Sequence, residues 1–165
     1  PSEEIPETAS VEQPSELADW ALEPDGIGPL LLGMDESEAR AVVPELTSTP
    51  GPFCDSWEVP GLAGVSLQVP REGLRSIGIL PDSVHGPAGI RPGSKISELK
   101  SQLGSDLTHT PVETGSLGYD FYYLDSASGE TTIQFVVDKS EGEVLFVQAG
   151  YPGEFYYPDG NEMCA

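Results

Sequence analysis

Apolar and polar positions alternate with two different periods along this chain, and the switches between periods mark its elements. In Gly64–Val69 (GVSLQV), Val65, Leu67 and Val69 fall on one side of an extended chain. Leu74–Leu80 (LRSIGIL) follows across the turn Pro70-Arg71-Glu72-Gly73, with Ile77 and Ile79 on one face and Gly78 read as a bulge. Two such runs around a glycine-ended loop predict a hairpin. Phe53–Val59, Leu107–Val112, Tyr119–Leu124, Thr131–Val137 and Val144–Ala149 are further strand candidates, the last two flanking the acidic loop Asp138–Glu143. Helical spacing occurs twice. Asp35–Val43 has Asp35 and Glu38 at capping-box spacing and an apolar stripe of Ala39, Val42 and Val43, and Pro44 should end it. Lys95–Leu103 turns Ile96, Leu99 and Leu103 inward between a Ser94 cap and a Gly104 stop. Thr47–Pro52 reads as loop.

The helical segments recur at a fixed distance: Gly33-Met34-Asp35-Glu36-Ser37-Glu38-Ala39 lines up with Gly93-Ser94-Lys95-Ile96-Ser97-Glu98-Leu99. The expected fold is therefore α+β, a tandem repeat of one helix followed by three to four antiparallel strands, with the helices packed on one sheet face. The repeats would span residues 25–84 and 85–150, followed by a C-terminal tail, 151–165. Residues 1–24 are rich in Glu, Pro and Ser and read as a disordered acidic tether. Within them, Leu17, Trp20 and Leu22 could dock on the body.

Charge narrows the function. The net charge is −21; the first 25 residues hold eight acids and no base, and the remaining residues 20 acids and seven bases. Such a chain repels phosphate backbones, which excludes nucleic-acid binding, and it is disfavoured at anionic membrane surfaces. No apolar run approaches the ~18 residues of a membrane span. The opening Pro-Ser-Glu-Glu has no initiating Met and reads as a mature chain whose leader has been removed; a lipid anchor ahead of Pro1 stays open.

The two cysteines, Cys54 and Cys164, lie too far apart for a compact zinc or redox motif. In an exported protein such a pair is most economically a disulfide, worth roughly 4–5 kcal/mol in the chain-entropy model. Two free thiols in a cytosolic protein are the alternative.

Catalytic and cofactor motifs are missing: there is no G-x-S-x-G, H-E-x-x-H, P-loop or G-x-G-x-x-G. His85 sits in a Val-His-Gly-Pro turn and His109 at the start of a strand, neither beside a cysteine. No cofactor is expected. The acidic loops Asp138–Glu143 and Asp159–Glu162 lack the ligand spacing of a calcium loop and read as solvated turns. Aromatics give the most informative signal. Tyr119, Phe121, Tyr122 and Tyr123 occupy both faces of one strand, and Phe155, Tyr156 and Tyr157 follow in the tail. Tyrosine offers large contact area with little rotamer entropy to lose, so these seven are the candidate partner-binding residues. The competing reading packs them under the tail.

Gly28-Pro29-Leu30…Gly33-Met34…Glu38-Ala39, then Gly89-Ile90-Arg91…Gly93…Glu98-Leu99…Leu103-Gly104, resemble small secreted actinobacterial proteins of unknown function. Those end in an aromatic–Glu–Gly–Cys motif, degenerate here in Phe155–Cys164. The helix-then-strands unit is also similar to the tandem repeat of the β-lactamase inhibitor protein and, more distantly, to outer-membrane assembly lipoproteins of the SmpA/OmlA type. These resemblances imply a secreted or envelope-located, non-catalytic, sheet-based binding module whose partner is an extracellular or envelope protein; they supply no functional residues. The alternatives are a small-ligand or Ca²⁺-binding envelope protein, and a hydrolase whose site is scattered along the chain.

Overall fold

The computed structural model describes residues 17–70, 73–111, 118–152 and 155. Within them lie a three-stranded sheet, an eight-stranded sheet and two short α-helices. The small sheet comes first. Its strands β1 (Leu22–Glu23), β2 (Gly26–Ile27) and β3 (Leu30–Leu31) are two residues each, and Leu22, Ile27 and Leu30 are fully buried in register. Trp20 closes over it. Gly28, at φ 56°, makes that contact possible, because a Cβ there would fall 2.4 Å from the indole. Residues 17–24, grouped with the tether by composition, thus include Trp20 and Leu22 of the core and the partly buried Leu17.

Helix α1 (Glu36–Val42) begins as its sequence requires. The Glu38 N–H donates to Asp35 Oδ1 at 2.8 Å, and the Asp35 N–H donates to Glu38 Oε1 at 3.0 Å. Ala39 and Val43 are buried, but Val42, expected inward, is 42% exposed at the last position of the helix, while Val43, just past its end, takes the inward place. Strand β4 (Thr47–Thr49) then forms in a segment expected to be loop. Its residues pair with β5 (Asp55–Glu58), a ladder that no apolar alternation within Thr47–Thr49 announces. β6 (Val65–Val69) and β7 (Ser76–Ile79) complete a meander.

Helix α2 (Ile96–Leu103) buries Leu99 fully, with Ile96 and Leu103 partly buried. Lys95, not Ser94, is its N-cap; the Lys95 N–H donates to Glu98 Oε1 at 2.9 Å, while the Ser94 hydroxyl accepts from the Arg91 N–H. β8 (Thr108–Pro111), β9 (Tyr119–Asp125), β10 (Thr132–Asp138) and β11 (Glu143–Gly150) follow. Each helix start is laced to a hairpin by backbone bonds. Gly33 donates to Leu74 O and Leu74 to Met34 O; Gly93 donates to Val144 O and Val144 to Ser94 O.

The expected architecture is corrected here. The chain is not a tandem of helix-plus-strands units; it is mostly sheet, with two helices of seven and eight residues among eleven strands in the described residues. The large sheet runs β4-β5-β6-β7-β11-β10-β9-β8, all antiparallel. Strands from both halves therefore share one ladder, joined where β7 pairs with β11. The physical reason is the unpaired edge each meander would otherwise expose, with its row of open N–H and C=O groups. Gly78 is corrected as well: β7 stays in register with β6 and β11 straight through it, with no bulge. The bulge instead lies between β10 and β11, beside Val136 and Val137.

One face of the large sheet makes the core. Cross-strand rows such as Leu124–Ile133–Ala149–Ile77–Leu67–Trp57 and Tyr122–Phe135–Val147–Ile79–Val65 run the width of the sheet. Ala39, Val43, Leu99 and the small sheet pack against them.

The capping box at α1 gives a direct prediction. Asp35→Ala should lower unfolding free energy by about 1 kcal/mol in urea titration with an unchanged slope. An unmoved midpoint would show that the Gly33–Leu74 lacing alone fixes the helix start.

Candidate functional site

Residues alternating with the core positions build the second face of the large sheet. Its middle row is polar: Tyr123, Gln134, Gln148, Gly78 and Ser66, one from each of five adjacent strands. Gln134 Nε2 donates to the Tyr123 hydroxyl at 3.1 Å, and Gln148 Nε2 donates to Gln134 Oε1 at 2.7 Å. Both glutamines are buried, at 2% and 6% exposure. A buried amide left unpaired is costly, and the chain of bonds avoids most of that cost. The neighbouring row is apolar, with Phe121, Val136 and Phe146 side by side. By alternation Leu80, just past β7, continues it; Phe121 and Val136 are buried, Phe146 is half-buried and Leu80 is 60% exposed.

The expected aromatic residues divide between these surroundings. Tyr122 lies on the core face, 5% exposed, stacked on His109 at 4.4 Å with the Lys100 ammonium 5.8 Å from its ring centre. Phe121 is equally buried on the second face. These two rings fill space within the fold. Tyr119 and Tyr123 remain half-buried on the second face, and Phe155 comes in beside Tyr123, centroids 6.3 Å apart. Gly150 leaves room for that ring: a Cβ there would lie 3.1 Å from Phe155. Tyr156, Tyr157 and Cys164 lie outside the described residues. No described cysteine is a free thiol, Cys54 included.

Opposite Tyr119 stands Asp138. The Ser140 hydroxyl, then the Glu141 N–H, hold its carboxyl below the usual carboxylate range. The acidic loop is thereby closed on itself, and Lys95 pairs with Glu143 at 2.8 Å. Among the described residues no group of three or more His, Cys, Asp or Glu is placed to hold a metal ion; Asp159–Glu162 lies outside them.

The two histidines are far from a buried acid–base site. His109 meets the Asp120 carboxylate at 3.5 Å on the exposed margin of β8 and β9. His85 is exposed, its Nδ1 2.7 Å from the Gly86 carbonyl. Near it Glu23 has its carboxyl pushed above the usual range by burial and by Asp25, with His85 pulling the other way. A cavity of about 380 Å³ opens under the β5–β6 loop, lined by Glu58 to Val65 and Leu67; Glu58 is the only ionisable group there, so it offers no acid–base pair.

The glutamines, Ser66 and Leu80 are the part of this face that motif reading passes over. Their signal was the alternation itself, since Gln134 sits between Ile133 and Phe135, and Ser76 and Gly78 flank Ile77.

No protein-family model matches the chain, and no curated protein matches it. Among solved structures, an extracellular protein containing a SCP domain from Bacillus anthracis str. Ames aligns at 14% identity with a TM-score of 0.43. A cysteine-rich secretory protein from Staphylococcus aureus subsp. aureus Mu50 aligns at 13% identity with a TM-score of 0.42. Each alignment covers 73% of this chain and 44% of the other, so the chain spans less than half the length of either. Likenesses this faint carry no argument about fold or function, and neither bears on the resemblance to the β-lactamase inhibitor protein or the assembly lipoproteins. No helix of the described residues is long and apolar enough to cross a membrane.

The amide chain predicts strong coupling. Gln134→Leu alone leaves the buried Gln148 amide without its acceptor and should cost about 1–3 kcal/mol. The double variant Gln134→Leu/Gln148→Leu should cost less than the two singles added together. Simple additivity in a double-mutant cycle would show that the pair contributes no joint stabilisation.

Proposed function

We propose that this chain is an exported, non-catalytic binding module that meets an extracellular or envelope protein across the second face of its large sheet. Tyr119, Tyr123 and Phe155 are its contact side chains. The observation that carries this reading is the Tyr123 hydroxyl held by the buried glutamine chain. A ring fixed in this way loses little freedom on association, and a wide antiparallel sheet gives it a rigid base. Phe121, buried between the two tyrosines along β9, anchors the strand that presents them. The exposed settings of His85 and His109 favour binding over acid–base chemistry.

Export accords with the acidic composition and with the state of Cys54, which is not a free thiol. We assign its bond to Cys164, the only other cysteine. Cys54 precedes β5, three strand positions from β11 in the sheet, or about 15 Å. The residues from Tyr151 to Cys164 are more than long enough to cover that distance.

Site-specific photo-cross-linking tests the reading. With p-benzoylphenylalanine at position 119 or 123 of the exported chain, irradiation of producing cells should trap one and the same adduct from both positions. The reagent at position 36, on α1, should not trap it. No adduct, or the same set from all three positions, would overturn the proposed face.

A further inference from the structure

The row Ser56–Gln68–Ser76–Gly150–Thr132 crosses the second face from β5 to β10, one residue from each of five adjacent strands. Neighbours in a sheet shield the flanks of such residues; their outer ends are shielded only by something lying above. Yet Ser76 is 7% exposed and Thr132 1%, and the side-chain oxygen of Gln68 is shut off from solvent. In the adjoining rows Gln134, Gln148, Phe121 and Val136 are buried too. Phe121 and Val136 stand outside the core cluster, so the helices and the small sheet, which pack on the other face, are not their cover.

Phe155 lies at one end of this row. Its ring is 3.1 Å from where a Cβ of Gly150 would stand on β11, and it is beside Tyr123 on β9, so it rests over β10. The chain comes to this point from a fixed residue. The Arg75 guanidinium sits 3.8 Å from the centre of the Tyr151 ring, and a Cβ at Gly33 would lie 3.0 Å from the Tyr151 hydroxyl. Cys54 lies at the other end of the row, two residues before Ser56, and it is not a free thiol. With its bond to Cys164, the segment leaving Phe155 has its far end held beside β5. Four strand spacings, about 19 Å, separate the two ends. The stretch from Tyr156 to Cys164 reaches up to about 30 Å. The direct path between the ends runs along the row.

We propose that residues 156–164 are an intramolecular strap laid along this row and fastened by the Cys54–Cys164 bond. Tyr156, Tyr157 and Met163 bring apolar surface to the contact. Because both ends are tied, the contact is intramolecular, and modest attraction suffices to hold it. Other segments are worse placed. Residues 1–16 leave the body at Leu17, which packs beside Gly61 in the β5–β6 loop, at the end of the sheet away from Cys54. Residues 112–117 join β8 to β9, and β9 is three strand positions from Ser76 on β7. The strap regulates the face read above as the contact surface and rests on that reading in this one respect. It withholds the part from β5 to β10 from the partner and leaves Tyr119 and Tyr123 at the open margin.

The test needs no partner. In the labelled full chain, nuclear Overhauser contacts should join residues 156–163 to Ser76, Thr132 or Gln148. A neutral gadolinium chelate in the solvent should barely relax the side-chain amides of Gln134 and Gln148 and the methyl of Thr132. Cys54→Ser/Cys164→Ser should raise that relaxation at least about threefold, while the methyls of Ile133 and Leu99 in the core stay protected. Contacts to Ser76 from residues 1–16 or 112–117, or from no segment, would overturn the strap. So would unchanged relaxation in the double variant, which would remove the bond as its fastening. A variant that unfolds exposes Ile133 and Leu99 as well, and the contacts in the unsubstituted chain then decide. Failure of the strap leaves the tyrosine contacts of β9 standing, and failure of the cross-linking leaves the strap standing, so the two readings fail separately.

Discussion

The structure depends on the pairing of β7 with β11. Four positions are in register there: Ser76 with Gly150, Ile77 with Ala149, Gly78 with Gln148 and Ile79 with Val147. Without it, the meander β4–β7 and the meander β8–β11 would each expose a further open strand edge. With it, the core rows run unbroken from Trp57 to Leu124, and helices of seven and eight residues suffice to help cover them.

That junction also determines the two faces. Ile77, Ile79, Val147 and Ala149 lie on the packed side. Ser76, Gly78, Gln148 and Gly150 must then lie on the other, because side chains alternate along each strand. The second face is consequently smallest and most polar at the middle of the sheet. Towards β9 it gains the Phe121–Val136–Phe146 row and the tyrosines. The binding reading follows from this gradient, from small and neutral over β7 to aromatic over β9.

Much of this could be read in the chain where the evidence was local. Asp35 and Glu38 announce a capping box that forms, and Val65-Ser66-Leu67-Gln68-Val69 alternates as its strand does. Leu99, Trp20 and Leu22 take the inward places their surroundings suggest. What stayed hidden is non-local. No spacing tells that β7 will meet β11, so a recurrence of Gly33–Ala39 at Gly93–Leu99 read as two units when the strands belong to one sheet. Thr47–Thr49 carries no apolar residue to announce a strand, and it becomes one because β5 offers it a ladder. Of the four aromatic candidates in β9, alternation separates Tyr122 from the other three, but only packing shows that Phe121 is buried as well. The glutamines escaped notice because polar residues in a strand ordinarily face water, and these two face each other.

Native-state hydrogen exchange across the β7–β11 junction tests the central claim most directly. If this pairing unites the sheet, the amides bonded between β7 and β11 exchange only through global unfolding, with the same free energy as those of β6 and β10. Exchange of the junction amides at a markedly lower free energy, with β4–β7 and β8–β11 opening in separate steps, would contradict the account.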